Sequence, residues 1–163
     1  MLVSLSTRAL SALAGFGSAA VLIAALGFQF AGVAPCDLCI SQRWPHLFAA
    51  LLGALIVAVP KAVVRRTAPL IGAALMIWNT GLALYHSGVE RGIFEGPDSC
   101  TSNGVAGMEA SALLAQIRNA PLIRCDEIAW DLFGVTMPNL NVVASAVFAA
   151  IWIYTALRAR RAG

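Results

Sequence analysis

Four apolar stretches, Ala9 to Phe30, Ile40 to Val59, Ala68 to Tyr85 and Leu140 to Leu157, leave this chain few ways to fold. Each approaches the roughly 20 residues that a helix rising about 1.5 Å per residue needs to cross a hydrocarbon core. Backbone polar groups cannot stay unpaired in lipid, so stretches of this kind are helices. Hydrophobic residues make up 60% of the chain and charged ones 12%, too apolar a balance for an ordinary soluble domain. The expectation is an all-α membrane protein, a bundle of four transmembrane helices forming one domain over residues 1–163. The first stretch is longer than the roughly 7 to 15 apolar residues of a cleaved signal peptide, and is expected to be a span. Pro35 stands before Cys36, where a lipoprotein signal would need a small residue. The net charge of +3 forms no continuous stripe, which excludes a nucleic-acid partner.

Orientation follows from the basic residues. Arg8 precedes the first span, Lys61, Arg65 and Arg66 sit between the second and third, and Arg158, Arg160 and Arg161 follow the fourth. The bias of basic residues toward the cytoplasmic side puts both termini there. The other face receives a short connection, residues 31–39, and a long one, residues 86–139. Cys36, Cys39, Cys100 and Cys125 then all lie at or beyond the outer surface. Ser11, Gly15 and Ala19 repeat at the four-residue spacing that lets membrane helices approach closely. In the long connection, Met108, Leu113, Leu114 and Ile117 fall on one side of a short helix. That helix suits either the membrane surface or packing within the loop.

The run Pro35-Cys36-Asp37-Leu38-Cys39-Ile40-Ser41-Gln42-Arg43 carries the chemistry. Cysteines with two residues between them can close on each other, and a helix through them puts Cys39 and Arg43 on one face. A fixed cation and a helix N-terminus both favour the thiolate, the form that reacts. Structural zinc sites share this spacing but usually need a second close pair, whereas Cys100 and Cys125 are far apart; no metal site is expected. A structural disulfide between cysteines so near in sequence removes little chain entropy, which favours a redox-active pair. Arg43 lies one turn inside a span, where a charge is a functional candidate first and a snorkelling side chain second. His46 is expected to be a polar bundle contact. His86, seven residues after Asn79 and so on about the same face, is a candidate to join Arg43 around a polar ligand. Gln29 and Trp44 are given ordinary interface roles.

These motifs resemble those of the disulfide bond formation protein B family. The likeness rests on Pro35 to Cys39 with Gln42-Arg43, and on Arg124-Cys125-Asp126-Glu127 through Trp130, Gly134 and Pro138. The resemblance implies an inner-membrane oxidoreductase that reoxidises a DsbA-like periplasmic thioredoxin-fold protein and passes the electrons to ubiquinone or menaquinone. Such a relay keeps the bacterial periplasm oxidising. It further implies that Cys100 takes the partner's thiolate, that Cys125 exchanges with Cys36, and that Cys39 meets a quinone polarised by Arg43. The alternatives are a quinone reductase of the vitamin K epoxide reductase type and a non-enzymatic tetraspan scaffold or metal-binding protein with structural disulfides. In the first of these the membrane Cys-x-x-Cys comes late in the chain; here it comes early.

Overall fold

The computed structural model describes residues 5–59, 61–97, 109, 111 and 124–161. Among them are four long helices, α1 (Thr7–Phe30), α2 (Asp37–Ala58), α3 (Ala62–Glu90) and α4 (Met137–Arg161). A two-stranded hairpin, β1 (Asp131–Leu132) and β2 (Val135–Thr136), leads into α4. All four helices are long and apolar enough to cross a membrane. The protein is a four-helix membrane bundle, as the apolar stretches predict. The short helix expected over Met108 to Ile117 lies outside the described residues, apart from isolated positions.

The helices outrun the apolar stretches. At the end that holds the first cysteine pair, α2 begins at Asp37 and α3 runs on to Glu90, so Cys39 lies in a first helical turn and His86 about a turn inside a helix end. Two helix ends are locally determined. Ser6 caps α1 by accepting from Ala9 N at 3.1 Å, and Gly92, at φ +66°, closes α3 with a backbone bond to Val89. Phe133 and Gly134 take consecutive positive φ values of 52° and 80°, the conformation of a tight two-residue hairpin turn.

Neighbouring helices pack in the cyclic order α1, α2, α3, α4, with α1 and α3 on a diagonal. Small residues govern the spacing. A Cβ on Gly53 would stand 2.7 Å from Gly15 Cα, so α1 and α2 touch backbone to backbone at the step predicted from Ser11, Gly15 and Ala19. Between α3 and α4 the Trp152 ring lies against Gly72, where a Cβ would collide with it. Ala14, Ala49, Ile56, Met76 and Trp152 fill the core, while Phe16, Ile23, Trp78 and Val143 point outward, the arrangement expected where the surroundings are lipid. At one end Arg8 donates to the Val57 carbonyl and Arg158 to the Leu5 carbonyl at 2.7 Å. The described cysteines stand at the other end.

Candidate redox site

Cys36 is the residue on which α2 starts. Its Sγ accepts from the Cys39 backbone N–H at 3.3 Å, the position a serine or aspartate side chain commonly takes at a helix start. Both sulfurs are free thiols, with Cys36 Sγ donating to Cys39 Sγ at 2.9 Å. That hydrogen bond, followed by burial, pushes the Cys36 thiol well above its ordinary range.

The two sulfurs have different surroundings. Cys36 is buried with Leu38, Val89 and Cys125. Cys125 is itself disulfide-bonded and almost wholly buried. Cys39 instead lines a cavity of about 280 Å³ walled by Leu22 and Phe28 of α1, Arg43 of α2 and Leu140 of α4. Arg43 donates from Nη1 to Gln29 Oε1 at 2.6 Å, while its buried Nε has no partner. Phe28 also stacks obliquely on Trp130 at 5.6 Å, tying the cavity wall to the segment before the hairpin. Outside the spans, Arg124 bonds Asp126 at 2.5 Å and holds that carboxyl below the usual carboxylate range.

Behind Cys36 a ladder of polar groups crosses the bundle. His86 Nε2 lies 3.5 Å from Cys36 Sγ, and its Nδ1 is 2.7 Å from Gln42 Nε2. Gln42 Oε1 accepts from Asn141 Nδ2 at 2.5 Å, and Asn141 Oδ1 is 2.7 Å from His46 Nε2. Ser145 Oγ donates to Asn141 Oδ1 at 3.1 Å and accepts from Asn79 Nδ2 at 2.9 Å. The amide orientations that satisfy this chain give His86 its proton on Nε2, near the Cys36 sulfur and the Cys125 backbone, to which His86 also hydrogen-bonds.

A family model described as disulfide bond formation protein DsbB matches residues 7–155. The chain belongs to that family. No curated protein and no solved structure matches it. Membership makes this DsbB-family chain a multi-pass membrane oxidoreductase of disulfide bond formation.

Of the residues expected at the site, the structure brings Cys36, Cys39, Arg43, His86 and Cys125 together. Cys100 lies outside the described residues. His46 is the bundle contact it was expected to be, through Asn141. Sequence reasoning missed Asn141 and the hydrogen bond that Gln29 offers Arg43. An Asn at the start of a span and a Gln at the end of one are the signals each carries, and both are ordinary interface residues on that evidence alone.

Proposed function

We propose that this DsbB-family protein sits in the bacterial inner membrane with both termini cytoplasmic. There it reoxidises a DsbA-like periplasmic dithiol protein and passes the electrons to ubiquinone or menaquinone. The observation that carries the proposal is the division between the sulfurs: Cys36 packs beside Cys125, and Cys39 borders the apolar cavity with Arg43.

In this scheme the partner's thiolate attacks Cys100, releasing Cys125 as a thiolate. The partner's second thiol then resolves the mixed disulfide and leaves oxidised. Cys125 attacks Cys36 in a Cys36–Cys39 disulfide and releases Cys39, and Cys100 closes back on Cys125, leaving the first pair reduced. The reaction as a whole moves two electrons and two protons from the partner's dithiol to the quinone. A quinone supplies the electron sink, and the site's features suit one: the apolar walls match a ring, and Arg43 carries a buried N–H with no partner to offer a carbonyl oxygen. Arg43 also steadies charge on Cys39, while His86 stands between Cys36 Sγ, 3.5 Å from its Nε2, and the Cys125 backbone it hydrogen-bonds.

A single-turnover experiment tests the electron path. Reduced protein mixed with a soluble quinone analogue is expected to lose two thiols per quinol formed. The Cys39→Ser variant should exchange with the partner yet form no quinol, and full quinol formation by that variant would refute the assignment. For the partner, a Cys125→Ala variant should retain a periplasmic protein through Cys100.

A further inference from the structure

The reduced chain also holds a ligand set that the electron path does not use as such. Cys36 Sγ, Cys39 Sγ and His86 Nε2 all lie within 4.8 Å of one another. Tetrahedral zinc binds sulfur at about 2.3 Å and imidazole nitrogen at about 2.0–2.1 Å, which sets ligand sulfurs about 3.8 Å apart and sulfur and nitrogen about 3.5 Å apart. Cys36 Sγ and His86 Nε2 are already 3.5 Å apart. The two sulfurs, at 2.9 Å, need to part by about 0.9 Å, a movement within reach of the half-buried Cys39 side chain at the cavity wall.

The donor chemistry is selective. Two thiolates and an imidazole suit a thiophilic cation such as Zn²⁺ and not the oxygen-seeking Mg²⁺ or Ca²⁺. Cys39 and His86 both line the cavity, so a fourth position is open to water or another small donor. Gln42 already touches His86 Nδ1, as an outer partner of a metal-bound imidazole normally does. Binding through Nε2 moves the imidazole proton to Nδ1; the Gln42 amide turns over to accept it, and Asn141, bonded to Gln42 Oε1, turns over with it.

We propose that the reduced Cys36–Cys39 pair and His86 form a redox-gated site for a thiophilic cation such as Zn²⁺, and that the bound ion blocks oxidation of the pair. The inference rests on the reading that this pair cycles between dithiol and disulfide. The ion replaces two thiol protons, which pass to solvent, and no electrons move. A Cys36–Cys39 disulfide offers no thiolate, so oxidation closes the site.

Cobalt(II) serves as a spectroscopic stand-in. In a Cys100→Ser/Cys125→Ser chain, reduced and kept anaerobic in detergent, one cobalt per chain should bind with a thiolate-to-cobalt charge-transfer band and intense tetrahedral bands. Zn²⁺ should displace it. Oxidised protein should show neither band, and His86→Ala should weaken binding by at least about tenfold, since loss of even an outer partner costs about 10–100-fold. In the unaltered chain, fully reduced, the titration should retain a component that His86→Ala removes. Absence of the charge-transfer band, or binding indifferent to His86→Ala or to oxidation, overturns the site. Zn²⁺ should also stop reduction of the quinone analogue until a chelator is added; reduction that continues with zinc bound overturns the blocking role. A chain that binds cobalt but never reduces quinone keeps the metal site and loses the electron path, and the converse result removes the metal site alone.

Discussion

Replacing Asn141 by Leu probes the polar ladder at its centre. Asn141 makes three side-chain hydrogen bonds, with Gln42 Oε1 at 2.5 Å, His46 Nε2 at 2.7 Å and Ser145 Oγ at 3.1 Å. Leu is close to Asn in shape, which confines most of the effect to those bonds. Side-chain hydrogen bonds between membrane helices average about 0.6 kcal/mol, so the two that reach α2 come to about 1 kcal/mol, the Ser145 bond lying within α4. Gln42 Oε1 and His46 Nε2 would also be left buried and unpaired, which raises the cost toward about 3 kcal/mol. The assay is SDS titration of the oxidised protein in mixed micelles, followed by circular dichroism. Adding Gln42→Leu to Asn141→Leu should cost less than the two single changes together, with a coupling above about 0.5 kcal/mol because the residues share a bond. A loss below about 0.5 kcal/mol for Asn141→Leu, or strict additivity in the double variant, would refute the ladder as a structural unit.

Gly53→Leu should cost about 1–3 kcal/mol in the same titration, because even a Cβ there meets Gly15 Cα at 2.7 Å, whereas Gly27→Ala should be tolerated, since its Cβ meets nothing within 4 Å. Arg43→Ala should raise the quinone-analogue concentration needed for half-maximal rate by about 10–100-fold, the worth of a hydrogen bond to a charged group, while leaving thiol exchange with the partner intact. An unchanged dependence on quinone would return Arg43 to snorkelling. Cys36 should alkylate at higher pH than an ordinary thiol: its proton is held more tightly, so less thiolate is present at any given pH. In Cys39→Ser the main cause is gone and the profile should move down in pH. Mass spectrometry of the labelled protein follows both sites, and equal labelling of Cys36 and Cys39 near neutrality in the unaltered chain would contradict the assignment.

The helices were legible because lipid leaves the backbone one solution over each long apolar run. Their ends were not, since α3 continues to Glu90 through polar residues that hydropathy assigns to the loop. Gly15 was legible as a close-approach position by its four-residue spacing, but its partner Gly53 stands alone in α2 and emerges only once the two helices are set in register. The same limit hides Asn141, which meets Gln42 across 99 positions of sequence. Periodicity reports which face a residue occupies, and no local pattern reports the height at which two helices meet. The hairpin was missed for another reason: Phe133-Gly134 lacks the Asn-Gly or Asp-Gly chemistry that usually announces such a turn.

The beginning of α2 accounts for how two cysteines three positions apart can differ. Residues at this spacing lie near one face of a helix, so periodicity alone would give them similar neighbours. Cys36, however, precedes the first helical residue and has extended backbone, at φ −78° and ψ 172°. Its sulfur turns back over the helix start toward His86 and Cys125, while Cys39, inside the first turn, faces the cavity. A pair placed mid-helix would lose the cap and the extended backbone that turns the Cys36 sulfur toward His86 and Cys125. The short connection from Phe30 to Cys36 therefore does more than join two spans: by ending at the helix start, it gives one sulfur an exchange partner and the other an apolar cavity.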